Sequence, residues 1–195
     1  MEMKSLIFLN QVHGDDVKVL KKSDADFSVE FEPGKECYTA DAVITDIKDL
    51  FLVIQVADCQ SVMLYDPKKE VIANIHCGWR GSVQNIIGRC LEKMGDVFGC
   101  RGADILAGIS PSLGPCCAEF IHYRQEIPES LWSYKMADRD HFDFWKLSRD
   151  QMTRAGLKEE NIESMALCTK CRTDEFYSYR AEKTTGRFAC VIGMV

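Results

Sequence analysis

Three side chains in the first part of the chain have the chemistry to hold a metal or to act as nucleophile and base. His13 stands in Asn10-Gln11-Val12-His13-Gly14, Cys59 in Ala57-Asp58-Cys59, and His76 in His76-Cys77-Gly78-Trp79-Arg80-Gly81. A thiolate and two imidazoles are good zinc ligands, and three protein ligands leave a fourth position for water. Zinc lowers the pKa of such a water to ~7, which supports hydrolysis. The same residue types suit a cysteine nucleophile, with His76 withdrawing the Cys59 proton and the thiolate attacking an acyl carbon. A third reading makes them structural, Cys59 as a small buried hydrophobe and His76 as a hydrogen-bonded histidine. No compact motif such as a His-x-x-x-His helix decides among the three.

These residues need rigid elements behind them. Short runs rich in Val and Ile at 41–46 (DAVITD), 51–57 (FLVIQVA), 61–65 (SVMLY) and 71–75 (VIANI) read as strands, and their near-continuous apolarity predicts burial on both faces. Segments 103–109 and 187–194 read the same way. Asp66-Pro67-Lys68-Lys69 is a turn signal between two of the runs. If those two runs pair, the open end of the hairpin brings Cys59 and His76 together. Helices are marked by their caps: Ser82 opening one that runs to about 98 before Gly99, and Asp143 opening another that ends at Gly156. A third, shorter helix is expected to begin near Pro115 and carry Ala118, Phe120 and Ile121. Strand pairs mixed with helices imply an α+β or mixed α/β fold, one domain over 1–195 built on a large sheet.

Composition narrows the classes. The chain has 195 residues, 46% hydrophobic and 28% charged, and a net charge of −6, which argues against a nucleic-acid or anionic-membrane binder. The N-terminal apolar run at 6–9 is too brief for a signal peptide, and no run approaches the ~20 residues of a membrane span. Ten cysteines without a secretory signal predict a cytoplasmic protein with reduced thiols. Four histidines, His13, His76, His122 and His141, limit the metal options.

The remaining candidates are weaker signals. Cys168-x-x-Cys171 is half of a zinc-ribbon pattern, but Cys116 and Cys117 are adjacent and supply no second pair at that spacing, so a four-cysteine zinc site is a minor reading. Cys116 and Cys117 lie instead in a Gly/Pro loop able to offer amides to an anion, which would border the site, or in a plain structural turn. The other thiols, Cys90, Cys100 and Cys190 among them, read as structural. Arg80 opens the helix after His76 and suits a phosphate or carboxylate, or else covers Trp79. Tyr179, Arg180 and Arg187 mix aromatic and cationic groups suited to a base or a phosphate, or form an ordinary aromatic strand and turn.

Taken in order, Gln11-Val12-His13-Gly14, Ala40-Asp41-Ala42, Ala57-Asp58-Cys59, His76 to Gly81, Gly114-Pro115-Cys116-Cys117, and Tyr177-Ser178-Tyr179-Arg180 with Thr185-Gly186-Arg187 resemble the laccase-domain family, also called multicopper polyphenol oxidase, peptidoglycan editing factor or purine nucleoside phosphorylase. The resemblance spans nearly the whole chain. It implies a layered sheet like the catalytic domain of cytotoxic necrotizing factor toxins, and one zinc on His13, Cys59 and His76. It also implies phosphorolysis of adenosine, inosine or methylthioadenosine together with adenosine deamination. On that reading Asp58 carries a proton, Arg80 holds phosphate, and Cys116, Tyr179, Arg180 and Arg187 contact substrate. The expected partners are a nucleoside and phosphate.

Two alternatives stay open: a Cys–His amidase editing peptidoglycan precursors, and a degenerate binding protein. Family members usually have several dozen residues before the Gln-Val-His-Gly segment, including a Gly-rich loop with an arginine. Only ten precede it here, so part of the phosphate pocket is expected to be missing. Gln60-Ser61 also replaces a usual apolar-Pro pair. Four histidines cannot supply a multicopper cluster, although a single copper would compete for the zinc ligands.

Overall fold

A computed structural model describes residues 5–22 and 38–195. These residues form ten strands: β1 (Ser5–Asn10), β2 (Val17–Leu20), β3 (Tyr38–Thr39), β4 (Ala42–Thr45), β5 (Leu50–Val56), β6 (Gln60–Asp66), β7 (Val71–Cys77), β8 (Leu106–Ile109), β9 (Ile162–Ser164) and β10 (Phe188–Gly193). The α-helices are α1 (Trp79–Val83), α2 (Ile86–Phe98), α3 (Tyr123–Glu126), α4 (Phe144–Arg154) and α5 (Tyr179–Glu182). The strands make two mixed sheets, a smaller one in the order β10-β5-β1-β3 and a larger one in the order β2-β4-β7-β6-β8-β9. The fold is thus mixed α/β. No helix among the described residues is long and apolar enough to cross a membrane.

The apolar runs explain the layering. Every residue of β4 and β7 is buried, as near-continuous apolarity predicts. Because side chains alternate across a strand, Ala42, Ile44, Ala73 and Ile75 join Ile86, Ile87, Cys90 and Met94 of α2 in one core. Val43 and Ile72 point the other way, into a core with Ile7 of β1 and Leu52 and Ile54 of β5. A third, aromatic cluster gathers Phe120, Tyr123, Phe142 and Phe144, with Trp79 packed against it.

The two sheets are also tied by hydrogen bonds through one buried amide. Asn74 of β7 donates through Nδ2 to the carbonyls of Leu52 and Cys190, both at 3.0 Å, and its Oδ1 accepts from Ser61 Oγ at 2.7 Å. The neighbouring Gln60 makes the matching tie to the helix layer. Its Nε2 donates to the Phe144 carbonyl at 3.0 Å and its Oε1 accepts from Ser148 Oγ at 2.7 Å. The side-chain polar atoms of Gln60 and Ser61 are thus held in buried hydrogen bonds.

The hairpin forms as expected. β6 and β7 pair antiparallel with Ser61 opposite His76, and Asp66 Oδ1 accepts from the amides of Lys68 and Lys69 in the turn. Asp143 caps α4 by accepting from the Lys146 amide at 2.8 Å. Other boundaries differ. The helix expected from Ser82 starts earlier and is broken. Ser82 is buried inside α1, its hydroxyl donating back to the Gly78 carbonyl, and Asn85, at φ 57°, is the residue that caps α2. No helix grows from Pro115. A single turn there gives way to extended chain, because Phe120 N donates to the Asp140 carbonyl and Phe142 N to the Ala118 carbonyl. Ala103 and Asp104, expected as strand, belong instead to a 3₁₀ turn, Gly102–Asp104, before β8. The nine described cysteines are all unbridged, and Cys37 lies outside the described residues.

Candidate metal centre and its cavity

Three element ends meet at one point. His13 sits in the loop after β1, Cys59 in the three-residue link between β5 and β6, and His76 near the end of β7. Their ligand atoms all lie within 4.8 Å of one another. Cys59 Sγ is 3.9 Å from His13 Nε2, and the two imidazole rings meet edge to face with centroids 4.7 Å apart. Gly78 lies against all three residues. A Cβ there would come within 3.0 Å of the His13 ring and 3.2 Å of Cys59 Sγ. His13 and Asp58, with φ of 60° and 87°, both occupy the left-handed region that side chains rarely adopt, so the surrounding structure must hold them there.

Asp41 supplies much of that hold. Fully buried at the start of β4, its Oδ1 accepts from His76 Nδ1 at 2.7 Å and from the His13 amide at 2.9 Å. Its Oδ2 accepts from the amides of Gly14 at 2.7 Å and Val12 at 3.2 Å. Burial pulls the Asp41 carboxyl upward, but the His76 hydrogen bond and the Gly14 and His13 amides outweigh it and keep it below its ordinary value. A carboxylate on Nδ1 makes that nitrogen the donor and leaves His76 Nε2 as the ligand atom. Gln11 anchors the same loop, its Nε2 donating to the Gln55 carbonyl and its Oε1 accepting from the Gln55 amide, both at 2.9 Å. Neither Asp41 nor Gln11 stood out by spacing. The signal lay in an acidic residue at the head of a strand that reads as wholly buried.

Burial, reinforced by the neighbouring His76, lowers His13 below its ordinary pKa; Asp41 opposes this, while Arg80 and Arg187 add to it. His13 is therefore a neutral donor near pH 7. Burial pushes the Cys59 thiol up to about 12. A divalent cation is the partner that would let such a thiol ionise. The donor set fits one metal: two imidazoles, one with a carboxylate behind it, and one thiol.

The three donors line a cavity of about 510 Å³, a size that accommodates a small organic ligand. Asp58, Arg80, Tyr179, Arg180 and Arg187 line it too, as do Trp79 and Phe120. Their states differ. Asp58 Oδ1 accepts from the hydroxyls of Thr169 at 2.7 Å and Ser178 at 2.8 Å, and Oδ2 from the Arg180 amide at 2.5 Å. Three of a carboxylate's roughly four acceptor positions are thus filled, an arrangement that positions the wall more than it moves a proton. Arg180 Nη1 reaches the carbonyls of Cys117 at 3.3 Å and Glu119 at 2.9 Å, so this side chain braces two loops. Arg187 Nη1 donates to the Thr185 and Gly186 carbonyls and keeps its other N–H groups. The Arg80 guanidinium stacks over Trp79 at 4.3 Å, with no protein acceptor among the described residues. Cys116 does not line the cavity and lies among other thiols.

A family model described as multi-copper polyphenol oxidoreductase laccase matches residues 1–195. The chain belongs to this family. Members it resembles include a purine nucleoside phosphorylase of Clostridium acetobutylicum, 30% identical over 177 residues that cover 88% of this chain and 74% of that protein. The purine nucleoside phosphorylase YlmD of Bacillus subtilis is 29% identical over 205 residues, covering 99% and 72%. The crystal structure of the hypothetical protein YfiH from Bacillus licheniformis has a TM-score of 0.87 at 26% identity, covering 100% of this chain and 76% of that one. The family description speaks of several coppers, and the donors here do not fit such a cluster. Of four imidazoles two stand at the centre, while His122 and His141 join neither metal-capable group of the described residues.

Proposed function

We propose that this chain is a zinc-dependent purine nucleoside phosphorylase, moving the ribosyl group of adenosine, inosine or methylthioadenosine from the base to phosphate. The carrying observation is one cavity lined at once by His13, Cys59 and His76, by Arg80 and Arg187, and by aromatic side chains. His13, Cys59 and His76 would hold zinc, which when bound supplies a Lewis acid against developing negative charge. Arg80 and Arg187, which line the same cavity and whose charge acts on His13, would grip phosphate beside that centre. Trp79, Phe120 and Tyr179 offer flat apolar surface for a purine. Asp41 fixes the His76 ring, and Asp58 and Arg180 fix the wall. Adenosine deamination, the second activity the resemblance implies, needs a proton carrier, and Asp58 is committed to three donors.

The test is phosphate-dependent release of base from the three nucleosides, with ribose 1-phosphate as co-product. Cys59→Ala should abolish it, and Arg80→Ala should raise the KM for phosphate about tenfold. A metal-loaded protein that releases no base from any of the three sinks the proposal.

One observation favours a second reading. Cys59, His13 and the Asp41–His76 pair also form the parts of a thiol amidase, with His13 Nε2 3.9 Å from the sulfur. On this reading the enzyme would act on a peptidoglycan precursor or a glutamine side chain, the chemistry of the toxins that the resemblance brings in. Amide hydrolysis that survives a chelator but is lost in Cys59→Ser would select it.

A further inference from the structure

The described residues bring a second set of metal ligands together, away from the cavity. Cys116 and Cys117 sit in the turn after β8, and Cys168 and Cys171 in the loop after β9. Their four sulfurs all lie within 4.8 Å of one another. Cys116 Sγ and Cys117 Sγ are each 3.6 Å from Cys171 Sγ. A tetrahedral zinc with Zn–S bonds of about 2.3 Å has sulfur–sulfur edges of about 3.8 Å. A disulfide needs about 2.05 Å, and one such bond would leave the other two thiols unexplained. The gaps match the edges of a metal tetrahedron and not a covalent bridge.

The backbone around the thiols is already arranged. The Gly114 amide donates to Cys168 Sγ at 3.3 Å, the kind of N–H···S bond that steadies a thiolate ligand. Gly114 must be glycine for this approach, since a Cβ would stand 2.8 Å from Trp145 and 3.1 Å from the Cys168 Cβ. The two loops are laced by main-chain bonds, Ser112 N to the Leu167 carbonyl and Thr169 N to the Ser112 carbonyl. Cys168 is buried, whereas Cys116 and Cys171 are exposed, which leaves a path for the metal.

We propose that Cys116, Cys117, Cys168 and Cys171 form a closed tetrathiolate zinc site that clips the loop after β8 to the loop after β9. With four protein sulfurs no position remains for water or substrate, so the metal is structural. On binding, the thiols give up protons and no electron is transferred. What the clip steadies is the cavity wall. Leu113, next to the first loop's glycine, donates its amide to the Asp58 carbonyl, Thr169 in the second loop donates to the Asp58 carboxylate, and Arg180 bonds to the Cys117 carbonyl. This site does not depend on the reaction assigned to the cavity.

The test uses the full chain with Cys59→Ala, which disables the cavity centre and leaves the four thiols intact. Purified under reducing conditions, this variant should carry one zinc per chain, and X-ray absorption should find four sulfur neighbours at about 2.3 Å. Stripping that zinc should lower Tm by about 10 °C or more. Adding Cys171→Ala should remove the remaining zinc. A folded Cys59→Ala protein without zinc, or with zinc bound to nitrogen and oxygen, overturns the proposal. So does a disulfide between these cysteines detected by mass spectrometry.

Discussion

Two clusters of soft donors sit on either side of Asp58, and they differ in number and in kind. The centre at His13, Cys59 and His76 has three donors, mixed nitrogen and sulfur, and an adjoining cavity. The cluster at Cys116, Cys117, Cys168 and Cys171 has four sulfurs and stands outside that cavity's lining. Three donors leave a coordination position for chemistry, whereas four fill a tetrahedron and leave only a mechanical role. Their supports differ accordingly. Strand ends and a buried carboxylate aim the first set, while main-chain bonds between two loops gather the second.

The contrast can be broken by exchanging which cluster is damaged. The largest effect is expected from Cys168→Ala, which should lower Tm by about 10 °C or more, whereas Cys59→Ala should move Tm by a few degrees and remove all turnover. Equal Tm losses in calorimetry would erase the distinction. Next comes Asp41→Asn. Losing the carboxylate behind His76 should weaken metal at the cavity centre about 10- to 100-fold, read by competition with a chromophoric chelator, and leave the four-thiol cluster unchanged. Gly78→Ala should act in the same direction by about tenfold, since its Cβ crowds His13 and Cys59, while α1 still forms.

The smallest effect concerns pH. The folded-state pKa of His13 lies below its ordinary 6.5, so this imidazole is unprotonated at pH 7.5 and releases no proton on metal uptake. The thiol of Cys59, near 12, is protonated there and must release one. With the four-thiol cluster already filled, an indicator dye should register that thiol proton per metal bound at pH 7.5. The His13 shift also gives a sign for stability. The folded form binds fewer protons than the unfolded one as pH falls through 6.5, so this group destabilises the metal-free protein toward acid until pH drops below its lowered pKa.

The sequence showed the first cluster better than the second, for a physical reason. His13, Cys59 and His76 each fall at or just beyond the end of a strand-like run, and the Asp66-Pro67 turn places 59 beside 76 by simple counting along a hairpin. The four-thiol cluster obeys no local period. Two ligands come from adjacent residues, and Cys168 is brought to them by a parallel bridge with Ser112 that no spacing announces. The same limit explains the helix expected at Pro115, where the distant 140–142 segment draws the chain into extended pairing. Asp58 was visible as a residue beside Cys59, but its partners Thr169, Ser178 and Arg180 lie more than a hundred positions away.

Asn74 makes the cavity centre sensitive to something remote from it. His76 belongs to the large sheet, while His13 and Cys59 each lie on a crossing from the small sheet to the large one. Their separation is therefore a reading of how far the sheets have slid, and the Asn74 amide, with a bond to each of two strands opposite, is the dowel that prevents sliding. The amide carries no charge, so neither acid nor salt loosens it directly. Shortened to alanine, it should let the metal report misalignment as faster exchange well before the chain melts.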